Sequence, residues 1–210
     1  ARVTAADFLA RLVARTKPSC LVVGRNYSFG DGGQGNPEYL RRREEDLGYR
    51  TEICPLLEID GKVVSSTRIR ELLRDGLLSE VNRLLGRPFA ISGIVSHGDA
   101  RGRSLGFPTA NLPLPSRRAM LANGVYAVQA RFAGWDRFGI ANIGNNPTFD
   151  GETRRLEIHL LDFAGDLYDA QMKVQFIARL RDERRFPSAA ELQRQLCADE
   201  AQARKIFYLQ

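Results

Sequence analysis

The part of the chain that follows Arg87 and Pro88 contains a series of short strand-like segments, and this series restricts the fold more than any other feature. The segments are rich in apolar and β-branched residues and span 89–95, 125–132, 135–142, 156–163 and 172–180. Glycine turns such as Ala133-Gly134 separate several of them. Several short strands at regular spacing are typical of an antiparallel barrel or sandwich. A capping box over residues 188–191 predicts a helix after the last strand.

Residues 1–86 show a different pattern, in which helix and strand signals alternate as in an α/β domain. Cys20–Gly24 and residues 51–59 are the two strand candidates. Capping residues and glycines predict helices that start near Thr4, run from Asn36 to near Gly48, from Ser65 to Gly76, and from Ser79 to Gly86. Two strands are too few for a complete doubly wound sheet. We therefore expect an α+β protein in which an incomplete α/β domain, residues 1–86, precedes a β-rich domain, residues 87–210.

The composition excludes several classes of protein. The net charge is +6, but no basic tail or block is present, so a nucleic-acid partner is not favoured over small anionic ligands such as nucleotides. Three widely spaced cysteines without a C-x-x-C motif argue against a disulfide framework or a structural zinc site. No apolar run is long enough to span a membrane and no signal peptide is visible, so we expect a cytoplasmic protein without a membrane partner.

A glycine-rich loop that ends in Phe-Pro-Thr-Ala-Asn is the main candidate for a binding site. Its glycines, Gly98 and Gly102 among them, allow the backbone to approach a ligand closely. Thr109 and Asn111 are two residues apart, so they face the same side of an extended chain and offer oxygens suited to a hard cation that phosphates also hold. The loop is not a Walker A motif, because its glycines are four apart and Arg103 stands where that motif has lysine. A long glycine-rich surface loop is the alternative.

The segment 156–160 alternates between apolar and polar residues, which places Glu157 and His159 on one face of a strand. A carboxylate at such a position can accept the proton of an alcohol that attacks a phosphate. The alternative is an exposed charged pair on a solvated sheet face. His159 alone is more typical of a hydrogen-bonded structural histidine than of a ligand.

Three other polar segments have both a functional and a structural interpretation. The segment 142–149 is rich in Asn, Gly and Pro, which is typical of a turn. The charge run 179–186 is typical of a solvated loop, but Arg181 and Phe186 could instead flank a planar ligand. The helix start at residues 65–67 is a plain N-cap or an anion site.

Taken together and in this order, the motifs resemble the prokaryotic bifunctional FAD synthetases, in which a riboflavin kinase is joined to an FMN adenylyltransferase. The segment Gly102–Asn111 is highly specific for the riboflavin kinase module, and the segments 142–149, 157–163 and 166–168 reinforce it. The resemblance implies that residues 87–210 form a six-stranded Greek-key β-barrel with a C-terminal helix. Asp169 follows Tyr168 where the family usually has glycine, which is a small departure.

The resemblance also implies a reaction and a role for each motif. The kinase module would transfer the γ-phosphate of ATP to the 5′-hydroxyl of riboflavin, giving FMN and ADP. Glu157 would be the catalytic base, and Thr109 and Asn111 would bind Mg²⁺. The ATP-binding residues would be Gly98, Arg101, Gly102, Arg103, Pro108, Thr109, Asn111, Asn142 and His159. The flavin-binding residues would be Leu180, Arg181, Arg184 and Phe186.

Residues 1–86 resemble the later part of a Rossmann-like FMN adenylyltransferase domain. Its phosphate site would comprise Asn26, Ser65, Ser66, Thr67 and Arg70. The family's His-x-Gly-His motif does not occur in these 210 residues, so we expect an N-terminally truncated chain whose main activity is riboflavin kinase. The alternatives are a full bifunctional enzyme whose nucleotide-binding segment lies outside this chain, and a basic β-barrel that binds RNA. A homo-oligomer is compatible with the sequence.

Overall fold

Residues 3–98, 102, 106–114, 119–148 and 151–208 are described by the structure, which is a computed structural model, with side chains left out at 146–148 and 151–153. The chain divides into two units after Val64. In the described part of the chain, no helix combines the length and the apolar character needed to cross a membrane. All three cysteines are free.

The first unit is built around two parallel strands. Its elements are helix α1 (Ala5–Thr16), strand β1 (Cys20–Gly24), a short 3₁₀ turn (Asp31–Gly33), helices α2 (Pro37–Arg41) and α3 (Glu44–Leu47), and strands β2 (Arg50–Cys54), β3 (Glu58–Ile59) and β4 (Lys62–Val63). β1 pairs with β2 in parallel, and β3 pairs with β4 in an antiparallel hairpin. A small apolar core forms beneath this sheet from Leu9, Phe29, Leu40 and Tyr49.

Two predicted elements of this unit are interrupted. The single helix expected from Asn36 to Gly48 consists of α2 and α3, because the chain leaves helical geometry at Arg43, which lies outside the helix at ψ 3°. The single strand expected over residues 51–59 is also two strands, separated by a segment that contains Pro55. Proline lacks the backbone N–H that a continuous ladder needs at this point.

The second unit begins with two helices that pack on the barrel. They are α4 (Ser66–Arg74) and α5 (Leu78–Leu85), and their residues Leu73 and Val81 belong to the same apolar cluster as Phe176 of the barrel. The Asn82 side chain donates a hydrogen bond of 2.9 Å to the Phe176 carbonyl and accepts one of 2.8 Å from the Phe89 N–H. The compact units thus divide before these helices, whereas the predicted domain boundary between residues 86 and 87 stays a prediction.

Six antiparallel strands form the main sheet of this unit. They are β5 (Phe89–Ile94), β6 (Ala110–Pro113), β7 (Gly124–Phe132), β8 (Trp135–Thr148), β9 (Gly151–Leu160) and β10 (Gln171–Arg181), in the order β5-β10-β7-β8-β9-β6. A bridge between Ser96 and Asn111 joins the chain after β5 to β6, with the Ser96 N–H donating to the Asn111 carbonyl at 2.8 Å. This bridge connects the two edges of the sheet, and the predicted six-stranded barrel is confirmed.

The two faces of the barrel have different partners. Inward-facing side chains form the main core, whose largest members include Tyr126, Ile143, Leu156, Ile158, Met172 and Phe176. The C-terminal helix α6 (Ala189–Tyr208) covers part of the outer face, where Ala203 packs with Ala127 and Ile140. The ring of Phe207 stacks on that of Phe138, with centroids 4.2 Å apart. The helix therefore creates a second, buried layer outside the barrel, and residues on the outer face near its start are sheltered from solvent.

Candidate active site

A cavity of about 340 Å³ lies between the outer face of the barrel and the start of α6. Its walls include Leu192 and Leu196 of the helix together with residues from five of the six strands and from the loops beside them. Most of the residues predicted for the kinase site line it: Gly102, Thr109, Asn111, Asn142, Glu157, His159, Arg181, Arg184 and Phe186. The structure thus brings together motifs that are up to about eighty residues apart in the sequence.

Five residues of this cavity form one continuous row across five strands. Asn111 lies opposite Glu157, Glu157 opposite Asn142, Asn142 opposite Val125, and Val125 opposite Arg181. Directly opposed residues of antiparallel strands project to the same face, with Cβ atoms about 4.5–5.5 Å apart. The Glu157 carboxylate is therefore flanked by two neutral carboxamides, and a guanidinium stands at the far end of the row.

Asn111 has an unsatisfied oxygen at this site. Its side chain is buried, with the residue only 7% exposed, and its Oδ1 atom has no hydrogen-bond partner among the residues that the structure describes. An unpaired buried polar atom costs about 1–3 kcal/mol, so it needs an explanation, and a bound ligand is one such explanation. A Cβ atom at Gly98 would collide with the Asn111 carboxamide, so a larger residue there would displace that side chain.

The donor atoms fit a hard divalent cation. The Thr109 hydroxyl and the Asn111 carboxamide line the same cavity and present neutral oxygens, which are ligands that magnesium-type ions accept alongside phosphates. Among the residues that the structure describes, no group of three or more His, Cys, Asp and Glu side chains forms a metal site. A cation held by Thr109 and Asn111 would therefore depend on anionic ligand groups to complete its coordination.

His159 anchors the Phe-Pro-Thr segment to strand β9. Its Nδ1 atom lies 2.9 Å from the Pro108 carbonyl oxygen, and because a carbonyl only accepts, Nδ1 carries the proton. The imidazole also packs against Phe107, with ring centroids 5.0 Å apart. The interpretation of His159 as a hydrogen-bonded structural histidine is supported, and the same ring lines the cavity.

A second cavity, of about 600 Å³, adjoins the first at Thr109, which lines both. Pro108 lines this second cavity rather than the first, together with Asp166 and Tyr168. The Tyr168 ring stacks on His97, with centroids 3.8 Å apart. Arg101 and Arg103, which the sequence assigns to ATP, lie outside the described residues.

The predicted flavin-binding residues are only partly brought together. The guanidinium carbons of Arg184 and Arg181 lie 5.0 and 5.6 Å from the centroid of the Phe186 ring. Leu180 does not line the cavity but packs against the cluster formed by Ala127, Ile140 and Ala203. Its assignment to flavin binding stays a prediction that the placement of the side chain does not support.

Several cavity residues were not singled out from the sequence. Glu183 lies within the charge run, and its carboxylate accepts a hydrogen bond of 3.1 Å from Asn123 and touches Gly144. Leu192 and Leu196 are spaced i, i+4 on the apolar side of the predicted C-terminal helix, a signal that indicates burial but not a ligand. Asp199 of the same helix, which does not line the cavity but forms an ion pair with Arg181, was not singled out either.

The predicted adenylyltransferase phosphate residues are mostly exposed. The Ser65 side chain accepts a hydrogen bond of 3.2 Å from the Arg68 N–H and so forms the N-cap of α4. Ser66, Thr67 and Arg70 are exposed in the second unit, and Asn26 is exposed in the first. Anion binding by these residues stays a prediction.

Comparison with known proteins identifies the family. A family model described as riboflavin kinase matches residues 85–207, and one described as FAD synthetase matches residues 1–68. The chain is 40% identical over 211 residues to the bifunctional riboflavin kinase/FMN adenylyltransferase of Escherichia coli K12, an alignment that covers 100% of this chain and 67% of the relative. The chain belongs to this family.

A second relative has the same description, and a solved structure with a different description has a similar fold. The bifunctional riboflavin kinase/FMN adenylyltransferase of Pseudomonas fluorescens is 42% identical over 205 residues, covering 97% of this chain and 66% of the relative. A crystal structure described as a macrolide-efflux protein from Streptococcus pneumoniae has a TM-score of 0.84 and 37% identity, covering 97% of this chain and 66% of that one. The chain thus spans about two thirds of the length of these relatives.

Family membership settles the broad class of the protein. It is an enzyme with a riboflavin kinase domain, and it also carries a region similar to FAD synthetase. Riboflavin kinases use ATP and a divalent metal, which agrees with the oxygen donors at Thr109 and Asn111. The predicted resemblance is confirmed, and the RNA-binding alternative is not favoured.

Proposed function

We propose that residues 87–210 transfer the γ-phosphoryl group of ATP to the 5′-hydroxyl of riboflavin, releasing FMN and ADP. The observation that carries this proposal is the row of Asn111, Glu157 and Asn142 along the wall of one cavity. It puts a carboxylate next to a buried, unpartnered oxygen, as a base beside a metal–phosphate site requires. Phosphoryl transfer depends mainly on positioning and on charge stabilisation, so few side chains are needed.

Glu157 acts as the general base in this proposal. Its carboxylate takes the proton of the 5′-hydroxyl while that oxygen forms a bond to the γ-phosphorus and the bond from the phosphorus to the β–γ bridging oxygen breaks. The leaving group is ADP, and the proton remains on Glu157 until solvent removes it. The neighbours of Glu157 in the row are neutral, so no second carboxylate opposite it on either strand competes for the proton.

Thr109 and Asn111 would hold Mg²⁺. When bound, this ion would neutralise charge on the β- and γ-phosphates. The task of Thr109 and Asn111 is to fix the ion at the boundary between the two cavities that Thr109 lines. We assign the nucleotide to the second cavity, with its phosphates extending past Thr109 toward Glu157.

The flavin ring would occupy the part of the first cavity next to α6. This part combines the apolar side chains of Ile140, Leu192 and Leu196 with the ring of Phe186. Planar aromatic ligands bind in such mostly apolar pockets with a few polar groups at the edge. Arg184 and Glu183 supply those polar groups.

The direct test is product analysis. The purified chain is incubated with riboflavin, ATP and MgCl₂, and riboflavin, FMN and FAD are then separated by chromatography. We expect FMN that depends on both ATP and the metal, and a Thr109→Val variant with a normal thermal melt should form FMN much more slowly. A folded chain that binds riboflavin but makes no FMN under any ATP and metal condition would overturn the proposal. FAD in the same mixture would show adenylyl transfer by this chain in addition.

A further inference from the structure

A buried ion pair connects the C-terminal helix to the end of the cavity row. Asp199 of α6 is only 1% exposed, and the side chain of its partner Arg181 is 17% exposed. The Arg181 guanidinium donates to both carboxylate oxygens, with Nε at 2.9 and 3.0 Å and a terminal nitrogen at 2.8 Å. Gln195, one helical turn earlier, donates a further bond of 2.6 Å to Asp199. The carboxylate is therefore fully engaged inside the protein.

The orientation of Arg181 is fixed by these contacts. A bidentate pair defines the plane of the guanidinium as well as its position, which a single hydrogen bond does not. A further terminal nitrogen donates to the Asp182 carbonyl at 3.0 Å, so the backbone where the strand ends is held as well. The same guanidinium lies over the Phe186 ring. A chain of contacts thus runs from Asp199 through Arg181 to Phe186.

We propose that Asp199 is a positioning residue for flavin binding, acting through Arg181 to hold the Phe186 ring at the cavity. The inference rests on the proposed function, which places the flavin ring beside Phe186. Asp199 touches neither the cavity nor its contents, since it does not line it. Its effect is expected on riboflavin affinity, and not on ATP affinity, because the ATP residues lie toward Thr109 at the other end of the row.

A purely structural role is the competing explanation, and the helix offers a matched control for it. Arg204 of α6 forms a second ion pair with the barrel side, with its terminal nitrogens 2.8 and 2.7 Å from the Asp162 oxygens. This pair also holds the helix, but neither Arg204 nor Asp162 lines the cavity or contacts Arg181. Breaking it loosens the same helix without changing the Arg181–Phe186 contact.

The test compares Asp199→Asn with Arg204→Gln. For each variant the riboflavin and ATP KM values, kcat, the riboflavin Kd from flavin fluorescence and the melting temperature are measured. We expect Asp199→Asn to raise the riboflavin KM and Kd by about tenfold, with the ATP KM unchanged. We expect Arg204→Gln to lower the melting temperature without changing either riboflavin constant. Equal changes in riboflavin Kd in both variants, or an unchanged Kd in Asp199→Asn, would overturn the inference.

Two further variants keep the inference testable if Asp199→Asn does not fold. Gln195→Met removes only the supporting hydrogen bond to Asp199, and Arg181→Lys keeps the charge but cannot form the bidentate pair. Both should raise the riboflavin Kd, and both should leave the ATP KM as it is. The Kd is measured without turnover, so failure of the chain to make FMN would count against the proposed function and not against the role of Asp199.

Discussion

Asn111 and Glu157 lie directly opposite each other on strands β6 and β9, and the Asn111 Oδ1 atom is buried there with no hydrogen-bond partner in the described part of the chain. The sheet register therefore places this buried carboxamide oxygen next to the Glu157 carboxylate in the same cavity. Burying this oxygen without a hydrogen bond lowers the stability of the fold, and a ligand that binds the oxygen would recover that stability.

Replacing Asn111 should impair the metal dependence of FMN formation without lowering the stability of the protein. Because Oδ1 makes no hydrogen bond to any described residue, Asn111→Ala should leave the melting temperature nearly unchanged. The metal concentration for half-maximal FMN formation should rise by at least roughly tenfold, since one of two proposed ligands is gone. Ser96→Ala is the control, because the Ser96 hydroxyl donates to the backbone carbonyl of Asn111 and not to its side chain. An unchanged metal dependence in Asn111→Ala would remove Asn111 from the metal site.

Adding a methyl group at Gly98 should displace the Asn111 side chain without removing it. A Cβ atom there collides with the Asn111 carboxamide, so Gly98→Ala should displace it and lower kcat by roughly 10²-fold, the cost typical of a misplacement of about 1 Å. Gly93→Ala is the matched control, since its Cβ meets Leu112 at 3.4 Å, which is close to ordinary contact. Equal rates in the two variants would contradict this prediction.

Two substitutions of His159 can test which of its ring nitrogens bonds to the Pro108 carbonyl. Asparagine places a donor close to the Nδ1 position, whereas glutamine places one close to Nε2. Because Nδ1 donates to Pro108, His159→Asn should keep the Phe-Pro-Thr segment anchored and His159→Gln should not. We expect the ATP KM to rise by up to roughly tenfold in His159→Gln only, as for the loss of one hydrogen bond. A larger rise in His159→Asn than in His159→Gln would contradict the assigned bond.

Much of this architecture could be predicted from local patterns. The alternation at residues 156–160 placed Glu157 and His159 on one face, and the structure confirms it, because strand periodicity depends on the backbone alone. The spacing of Thr109 and Asn111 likewise placed both at one cavity. Interruptions were harder to predict: the helix predicted over residues 36–48 is broken at Arg43, whose backbone is not helical although its side chain is exposed.

The partners of side chains across the fold could not be predicted in the same way. Asp199 looks like an ordinary polar residue of an amphipathic helix, and only the docking of that helix on β10 makes it the partner of Arg181. Leu180 and Arg181 are adjacent in sequence, but the strand register is irregular between Arg179 and Arg181, so Leu180 packs in the helix–barrel layer while Arg181 lines the cavity. The closure of the sheet at Ser96 and Asn111 also depends on strand order, which the spacing of strands does not specify.

The ion pair of Asp162 and Arg204 predicts a pH dependence of stability. Hydrogen bonds from Arg204 lower the pKa of Asp162 below its ordinary value. A carboxyl with a lowered pKa in the folded state stabilises the fold above its ordinary pKa, and this contribution is lost as the pH falls through the lowered value. Asp162→Asn should therefore melt slightly below the unchanged protein at about pH 7 and show a smaller difference at about pH 3.

The effect should be small, because the Asp162 side chain is 66% exposed and solvent screens the pair. Asparagine is a suitable replacement because Asp162 has φ 53°, a region that asparagine tolerates. Arg204→Gln is the control and should weaken the pH dependence in the same way. A melting difference that grows on acidification would contradict the assigned direction of the pKa.

The most direct test of the account is the turnover of Glu157→Gln at saturating riboflavin, ATP and metal. The variant keeps the shape of the side chain and removes the base, so kcat should fall by about 10²–10⁴-fold while the riboflavin Kd stays the same. Asp136→Asn, which removes an exposed carboxylate paired with Arg131 on the same barrel, should turn over normally. A Glu157→Gln enzyme that forms FMN at the rate of the unchanged protein would contradict the central claim that Glu157 is the base.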